Sequence, residues 1–285
     1  MPTFTAPDGT ELAYHVAGSF PGPGPALLCL PGGPMQDSAY LGDLGGITAF
    51  RRLIRLDLRG TGGSAVPEDP SSYRCDRLVE DVEALRVHLG LDRVDVLGHS
   101  AGANLAVLYT ARYPERVSRL VLVTPGTAAV GLDTSGEERL AAARRPWREE
   151  EPWFPEAYAA LEELAAGRGT AETFGKVAPF FHGTWDAAAR ERHAAAQRER
   201  NGEAAAVYGG EGAFDPAAAR AALAEFGRPV LVVAGEGDAN TPVPTARAYA
   251  ELFPASALAV LEGAGHFPWH DDARWFATTV DAFLG

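Results

Sequence analysis

The sequence predicts an α/β fold, a mostly parallel sheet with helices on both faces and an inserted helical cap. Short apolar runs alternate with amphipathic helical patterns up to about residue 125. The same alternation returns from about residue 226 to the end. Between Pro125 and about Glu225 there is no strand pattern, only helix-forming segments separated by turn signals. Strands alternating with helices make a parallel sheet covered on both faces. The expected division is a core of residues 1–125 and 226–285, with a helical cap over 126–225.

Taken in order, "TFTAPDGTELAYHVAG" carries an Asp8–Gly9 turn between two strand-like runs, a hairpin signal. "PALLCL" (Pro25 to Leu30) reads as a short buried strand, ended by "PGGPM". The next strand falls around Leu53 to Leu56. Leu78, Val82, Leu85 and Leu89 then define one face of a helix that ends at Gly90. "RVDVLG" is a strand, and "SAGANLAVLYTARYP" a helix stopped by Pro114. "VSRLVLVTP" and "RPVLVVAGEGD" are buried strands flanking the helical stretch. "PTARAYAELF", "ALAVLEGAGH" and "ARWFATTVDAFL" close the chain as helix, strand and helix.

Composition narrows the function classes. The 285 residues carry a net charge of −13, which disfavours nucleic acid and anionic membrane surfaces as partners. No run approaches the roughly 18 apolar residues of a membrane span. The opening residues lack the basic and apolar regions of a secretory signal, so a cytoplasmic location is expected. Cys29 reads as a buried thiol, and its spacing from Cys75 fits no metal motif.

The chemistry centres on Gly98-His99-Ser100-Ala101-Gly102, which matches G-x-S-x-G between a strand and a helix. A sharp strand-to-helix turn crowds the positions two before and two after its apex, where glycine alone fits. A serine so exposed needs a base, and the base an orienting acid. Asp238 and His266 each follow a buried strand, in the chain order this arrangement requires. Rivals for the acid are Glu236, Asp271 and Asp272, the last two better placed to start the final helix. The oxyanion donors are expected to be the N–H groups of Ala101 and Gly33, the latter in the loop "LPGGPMQDS".

With these residues assembled, the chain resembles the α/β-hydrolases, and more narrowly their proline-iminopeptidase-like branch of serine hydrolases. "LPGGP" is similar to that branch's His-Gly-Gly-Pro-Gly, and Asp57–Ser64 to its Asp-x-Arg-Gly-x-Gly-x-Ser turn. "GHSAG", "GEGD" and "GAGHFPW" complete the pattern over roughly residues 1–125 and 226–285. Pro31 stands where the branch has histidine, Met35 where it has glycine, and Ala101 where the iminopeptidases have tryptophan. No acid of the cap, Glu149 to Glu151, Glu162 or Glu163 among them, matches a holder of a substrate amino terminus. Asp57 and Arg59 read as loop braces.

The resemblance implies a serine hydrolase that needs no cofactor or metal, acting on an ester, thioester or amide of a small, partly apolar molecule. The alternatives are an acyltransferase, lyase or cyclase using the same triad, or a ligand-binding protein on the same scaffold. Met35, His99, Phe181 and Trp185 are the expected substrate contacts, with Trp147, Trp153, Phe180, His182 and Tyr208 as further candidates from the cap. His182 and His193 lack partners at metal spacing. A monomer or homodimer is expected.

Overall fold

The computed structural model describes residues 1–18 and 26–285. Pro25, the expected start of the third strand, lies outside them. Eight strands, β1 (Thr3–Thr5), β2 (Glu11–Ala17), β3 (Leu27–Leu30), β4 (Leu53–Leu56), β5 (Val94–His99), β6 (Val117–Val123), β7 (Val230–Gly235) and β8 (Ser256–Leu261), form one sheet in the order β1-β2-β4-β3-β5-β6-β7-β8. The β1–β2 hairpin and the β2–β4 pair are antiparallel; every other pair is parallel. Gly9 takes the hairpin's left-handed position at φ 91°.

Side chains alternate between the two faces of a strand, so each apolar run supplies two layers. Leu28, Leu30, Val96, Leu120, Leu122, Val230 and Val232 belong to one buried cluster. It is covered by α1 (Cys75–His88), α2 (Ala101–Arg112) and, later in the chain, the helix Val243–Ala250. Leu27, Cys29, Leu97, Val121, Val123, Leu231 and Val233 belong to the other, covered by the last helix, Ala273–Leu284. Phe276, Val280 and Leu284 of that helix are fully buried, each worth about 1.5–3 kcal/mol of transfer free energy. Both cysteines are buried free thiols.

Between β6 and β7 the described residues form helices: α3 (Gly136–Ala143), α4 (Pro146–Glu149), α5 (Phe154–Ala165), α6 (Ala171–Lys176), α7 (Ala187–Arg198), α8 (Gly202–Tyr208) and α9 (Pro216–Ala224). The turn signals are their N-caps. Ser135 and Glu138 make a capping box at α3, while Asp186, Asn201 and Asp215 accept the first free N–H groups of α7, α8 and α9. This segment has a small core of its own around Phe154, Leu161, Val177 and Phe180, which Ala239 from the loop after β7 joins.

The chain then closes with α10 (Val243–Ala250), α11 (Pro268–Asp271) and α12 (Ala273–Leu284). α11 has no counterpart in the sequence reading; Asp272 caps α12, as its position suggests, and Asp271 ends α11 instead. The second helix stops ahead of Pro114, as expected. α2 ends at Arg112, and Pro114 opens a separate 3-10 turn. Among the described residues no helix is long and apolar enough to cross a membrane.

Candidate active site

The parallel strands β3, β5, β7 and β8 end on the same edge of the sheet, where open α/β sheets collect their ligands. β5 runs into α2 through Ser100, whose backbone sits at φ 52°, ψ −123°. Such a conformation costs a non-glycine residue about 1–3 kcal/mol and survives only when its surroundings over-determine it. Here they do. The Ser100 N–H donates to the Val123 carbonyl at 3.0 Å, and the Ser100 carbonyl accepts from Ala103 (3.0 Å) and Gly126 (2.8 Å). A Cβ on Gly98 would lie 2.7 Å from the Gly102 carbonyl oxygen, so the turn admits no side chain there.

His266 follows β8 and is 4% exposed; Asp238 follows β7 and is wholly buried. His266 Nδ1 donates to Asp238 Oδ2 at 2.8 Å, and Asp238 Oδ1 accepts from the Asn240 N–H at 2.8 Å. The rival acids are engaged elsewhere. Glu236 accepts from Gly263, Asp271 from Gly265 and Gly183, and Asp272 from Trp275. Ser100 and His266 line one cavity of about 620 Å³, with no hydrogen bond between their side chains among the described residues. Contacts of this kind often tighten only when substrate is bound.

The loop after β3 lies against the apex. A Cβ on Gly32 would meet the His99 carbonyl oxygen at 2.7 Å and Ser100 Cβ at 2.8 Å. Gly33, at φ 114°, lines the cavity beside Ser100. The Ala101 N–H opens α2, at the positive end of the helix dipole.

His99 is 2% exposed, and both of its ring nitrogens are committed. The His266 carbonyl can only accept, so His99 Nε2 carries the proton and donates to it at 3.0 Å. Nδ1 therefore accepts from the Tyr40 hydroxyl at 2.7 Å, and that hydroxyl accepts the Gly32 N–H at 2.7 Å. Burial and the neighbouring His266 hold the His99 imidazole well below its usual range, consistent with a neutral ring. One chain of hydrogen bonds thus joins the Gly32 loop to the His266 backbone.

Of the expected substrate contacts, His99 and Phe181 line the cavity. Met35 and Trp185 do not. Met35, at φ 60°, is fully buried in the core. Trp185 packs against His182 and His193, with ring centroids 5.0 and 5.7 Å away. Trp147, Trp153 and Tyr208 do not line the cavity either. Trp153 lies edge-on to Phe180, Trp147 is 39% exposed, and Tyr208 donates to the Ala101 carbonyl at 2.7 Å.

Sequence reasoning missed Gln36, Tyr40, Phe174, Arg200, Asn240 and Phe267, all of which line the cavity. It also missed Arg148. Its guanidinium, 1% exposed, donates to the Gly237 and His182 carbonyls at 2.6 Å each. Burial brings it down to about 10, against the opposing pull of Asp238. Arg139 donates to the Ala239 and Asn240 carbonyls at 3.0 Å. Asp57 and Arg59 brace loops as expected: Asp57 accepts from Ser38, His15 and Gly63, and Arg59 grips Asp81 through two nitrogens.

His182 stacks on Phe267 (centroids 5.3 Å apart), and its buried Nε2 has no hydrogen-bond partner among the described residues. Burial, helped by His193 and Arg192, brings it down to about 3. Below about pH 6.5 the unfolded chain then binds a proton that the folded chain refuses. Stability from this group is therefore complete above about pH 6.5 and is lost as pH falls towards about 3. Going from pH 7 to pH 5 should cost about 2 kcal/mol through His182. Denaturant midpoints at the two pH values should draw together in His182→Phe; an unchanged gap would exclude this source.

The α/β hydrolase fold family model matches residues 25–273. A proline iminopeptidase of Heyndrickxia coagulans is 27% identical over 274 residues, 92% of this chain and 91% of that protein. Among solved structures, an esterase from Exiguobacterium antarcticum superposes with a TM-score of 0.73 at 19% identity, covering 99% of this chain and 98% of its own. A proline iminopeptidase from Mycobacterium smegmatis gives a TM-score of 0.71 at 23% identity, covering 99% and 97%. A sheet whose strand ends gather these loops, matched by the family model over most of its length, leads to one assignment: the chain belongs to the α/β-hydrolase fold family and is an enzyme of the hydrolase type.

Proposed function

We propose that the chain is a serine hydrolase whose nucleophile is Ser100, with His266 as general base and Asp238 as the acid that orients it. The observation that carries this reading is the 2.8 Å bond from His266 Nδ1 to buried Asp238, in a cavity shared with the strained Ser100. Asp238 leaves Nε2 of His266 unprotonated to take the Ser100 proton as Oγ attacks the acyl carbonyl. The N–H groups of Gly33 and Ala101 receive the developing oxyanion, each such donor being worth roughly 10²–10³ in rate. His266 then passes its proton to the leaving group as the acyl bond breaks. Water, deprotonated by His266, releases the acid and restores Ser100.

The substrate is a small ester, thioester or amide with an apolar part facing Phe174 and Phe181. Residues 126–225 act as the cap that selects it. The free buried thiols suit a reducing, cytoplasmic setting.

Exposure to a fluorophosphonate, followed by intact-mass measurement and peptide mapping, should give one adduct, on Ser100, and none in Ser100→Ala. A folded protein that takes no adduct would end the serine-hydrolase reading.

A further inference from the structure

The chain carries 38 acidic against 25 basic residues, yet among the described residues no Asp or Glu lines the cavity over Ser100, and Arg200 is the one formally charged side chain lining it. Arg200 faces Gln36 across an isolated antiparallel bridge between the loop after β3 and the end of α7. The Asp37 N–H donates to the Glu199 carbonyl (3.3 Å) and the Asn201 N–H to the Met35 carbonyl (3.0 Å), fixing the register on either side. Directly opposed residues of an antiparallel pair present their side chains on the same face.

Each side chain keeps donors that are not yet used. Arg200 Nε donates to the Pro34 carbonyl at 3.1 Å, and among the described residues no carboxylate lies within ion-pair distance of the guanidinium. Gln36 is 7% exposed, and its buried Nε2 has no hydrogen-bond partner among the described residues. An amide left so costs about 1–3 kcal/mol, which a ligand acceptor would recover once the amide turns its NH₂ toward the cavity. A guanidinium beside an amide N–H is a donor pair matched to a carboxylate. An ammonium group would find no counter-charge in this cavity.

We propose that Gln36 and Arg200 form a subsite for a carboxylate carried by the substrate, so that the bond cleaved at Ser100 belongs to an acid-bearing ester, thioester or amide. The proposal rests on the serine-hydrolase reading and narrows its substrate class.

The test compares 4-nitrophenyl hemiglutarate with 4-nitrophenyl valerate, acyl groups of equal length with and without the carboxylate. The wild type should favour the hemiglutarate at least tenfold in kcat/KM at low salt. Arg200→Gln should lower that ratio at least tenfold, through KM for the anionic ester, and Arg200→Lys should restore part of it. Calorimetric titration of Ser100→Ala with glutarate reads the subsite without turnover: saturable binding, lost on adding Arg200→Gln, is expected. Valerate turnover with no preference for the anionic ester overturns the subsite and leaves the hydrolase reading intact. Glutarate binding without turnover or Ser100 labelling supports the subsite and overturns the hydrolase reading. No saturable glutarate binding overturns the subsite.

Discussion

Replacing Asp238 with asparagine should lower kcat/KM for a 4-nitrophenyl ester by about 10⁴ while leaving the thermal midpoint near that of the wild type. The reason is hydrogen-bond arithmetic. The carboxylate accepts twice, from His266 Nδ1–H and from the Asn240 N–H, and it is fully buried. An amide has one oxygen. If that oxygen keeps the Asn240 N–H, the NH₂ faces His266, and Nδ1 must become an acceptor. The imidazole proton then sits on Nε2, on the side facing the Ser100 cavity, and the ring can no longer take the hydroxyl proton. Turnover within tenfold of the wild type would mean that Asp238 does not set the tautomer of His266.

Gly102→Ala should destabilise the protein by about 3 kcal/mol and disturb the Ser100 turn, although glycine to alanine within an exposed helix ordinarily stabilises by about 1 kcal/mol. A Cβ at position 102 runs into the Leu30 carbonyl oxygen and comes within 2.5 Å of the Pro31 carbonyl oxygen. Both are backbone atoms at the end of a central strand, so neither can swing aside. Either α2 lifts, taking Ser100 and Ala101 with it, or β3 shifts, taking Gly32 and Gly33. Gly202→Ala is the comparison: it lies in α8 with nothing within 4 Å, and should be neutral or slightly stabilising. Urea denaturation should lower the midpoint of Gly102→Ala and leave that of Gly202→Ala unchanged or slightly raised. Equal shifts would show that the close approach at Gly102 is not limiting.

Much of this was legible in the sequence because the relevant signals are local. β3, β5 and β7 are buried throughout, β6 is buried but for Ser118 and Arg119, and all four read as apolar runs. The Ser100 turn was legible because its strand, glycines and helix are continuous in the chain, from Val94 to Arg112. Asp238 and His266 could be read because each comes shortly after a recognisable strand, and parallel order puts those strand ends together. Gln36 and Arg200 gave no such signal. They meet through a single bridge between segments far apart in the chain, and neither flank has a strand pattern. Arg148 looked like any charge on a helical surface, since nothing local reveals that two distant carbonyls await it. Met35 and Trp185 were misplaced for a related reason. Short helices and an irregular loop carry too little periodicity to say which face looks inward.

The helical segment is fastened to both banks of the cavity. Arg139 and Arg148 hold the carbonyls of Gly237, Ala239 and Asn240 on the Asp238 bank. Residues 199–201 hold Pro34 to Asp37 on the Gly33 bank. Such a segment is not an interchangeable module. A chimera that imported a foreign one to change substrate range would leave backbone acceptors bare on the very loops that carry Asp238 and Gly33. New specificity in this scaffold is therefore reached by single substitutions that keep the fastenings, or by transplanting the segment together with both of its moorings.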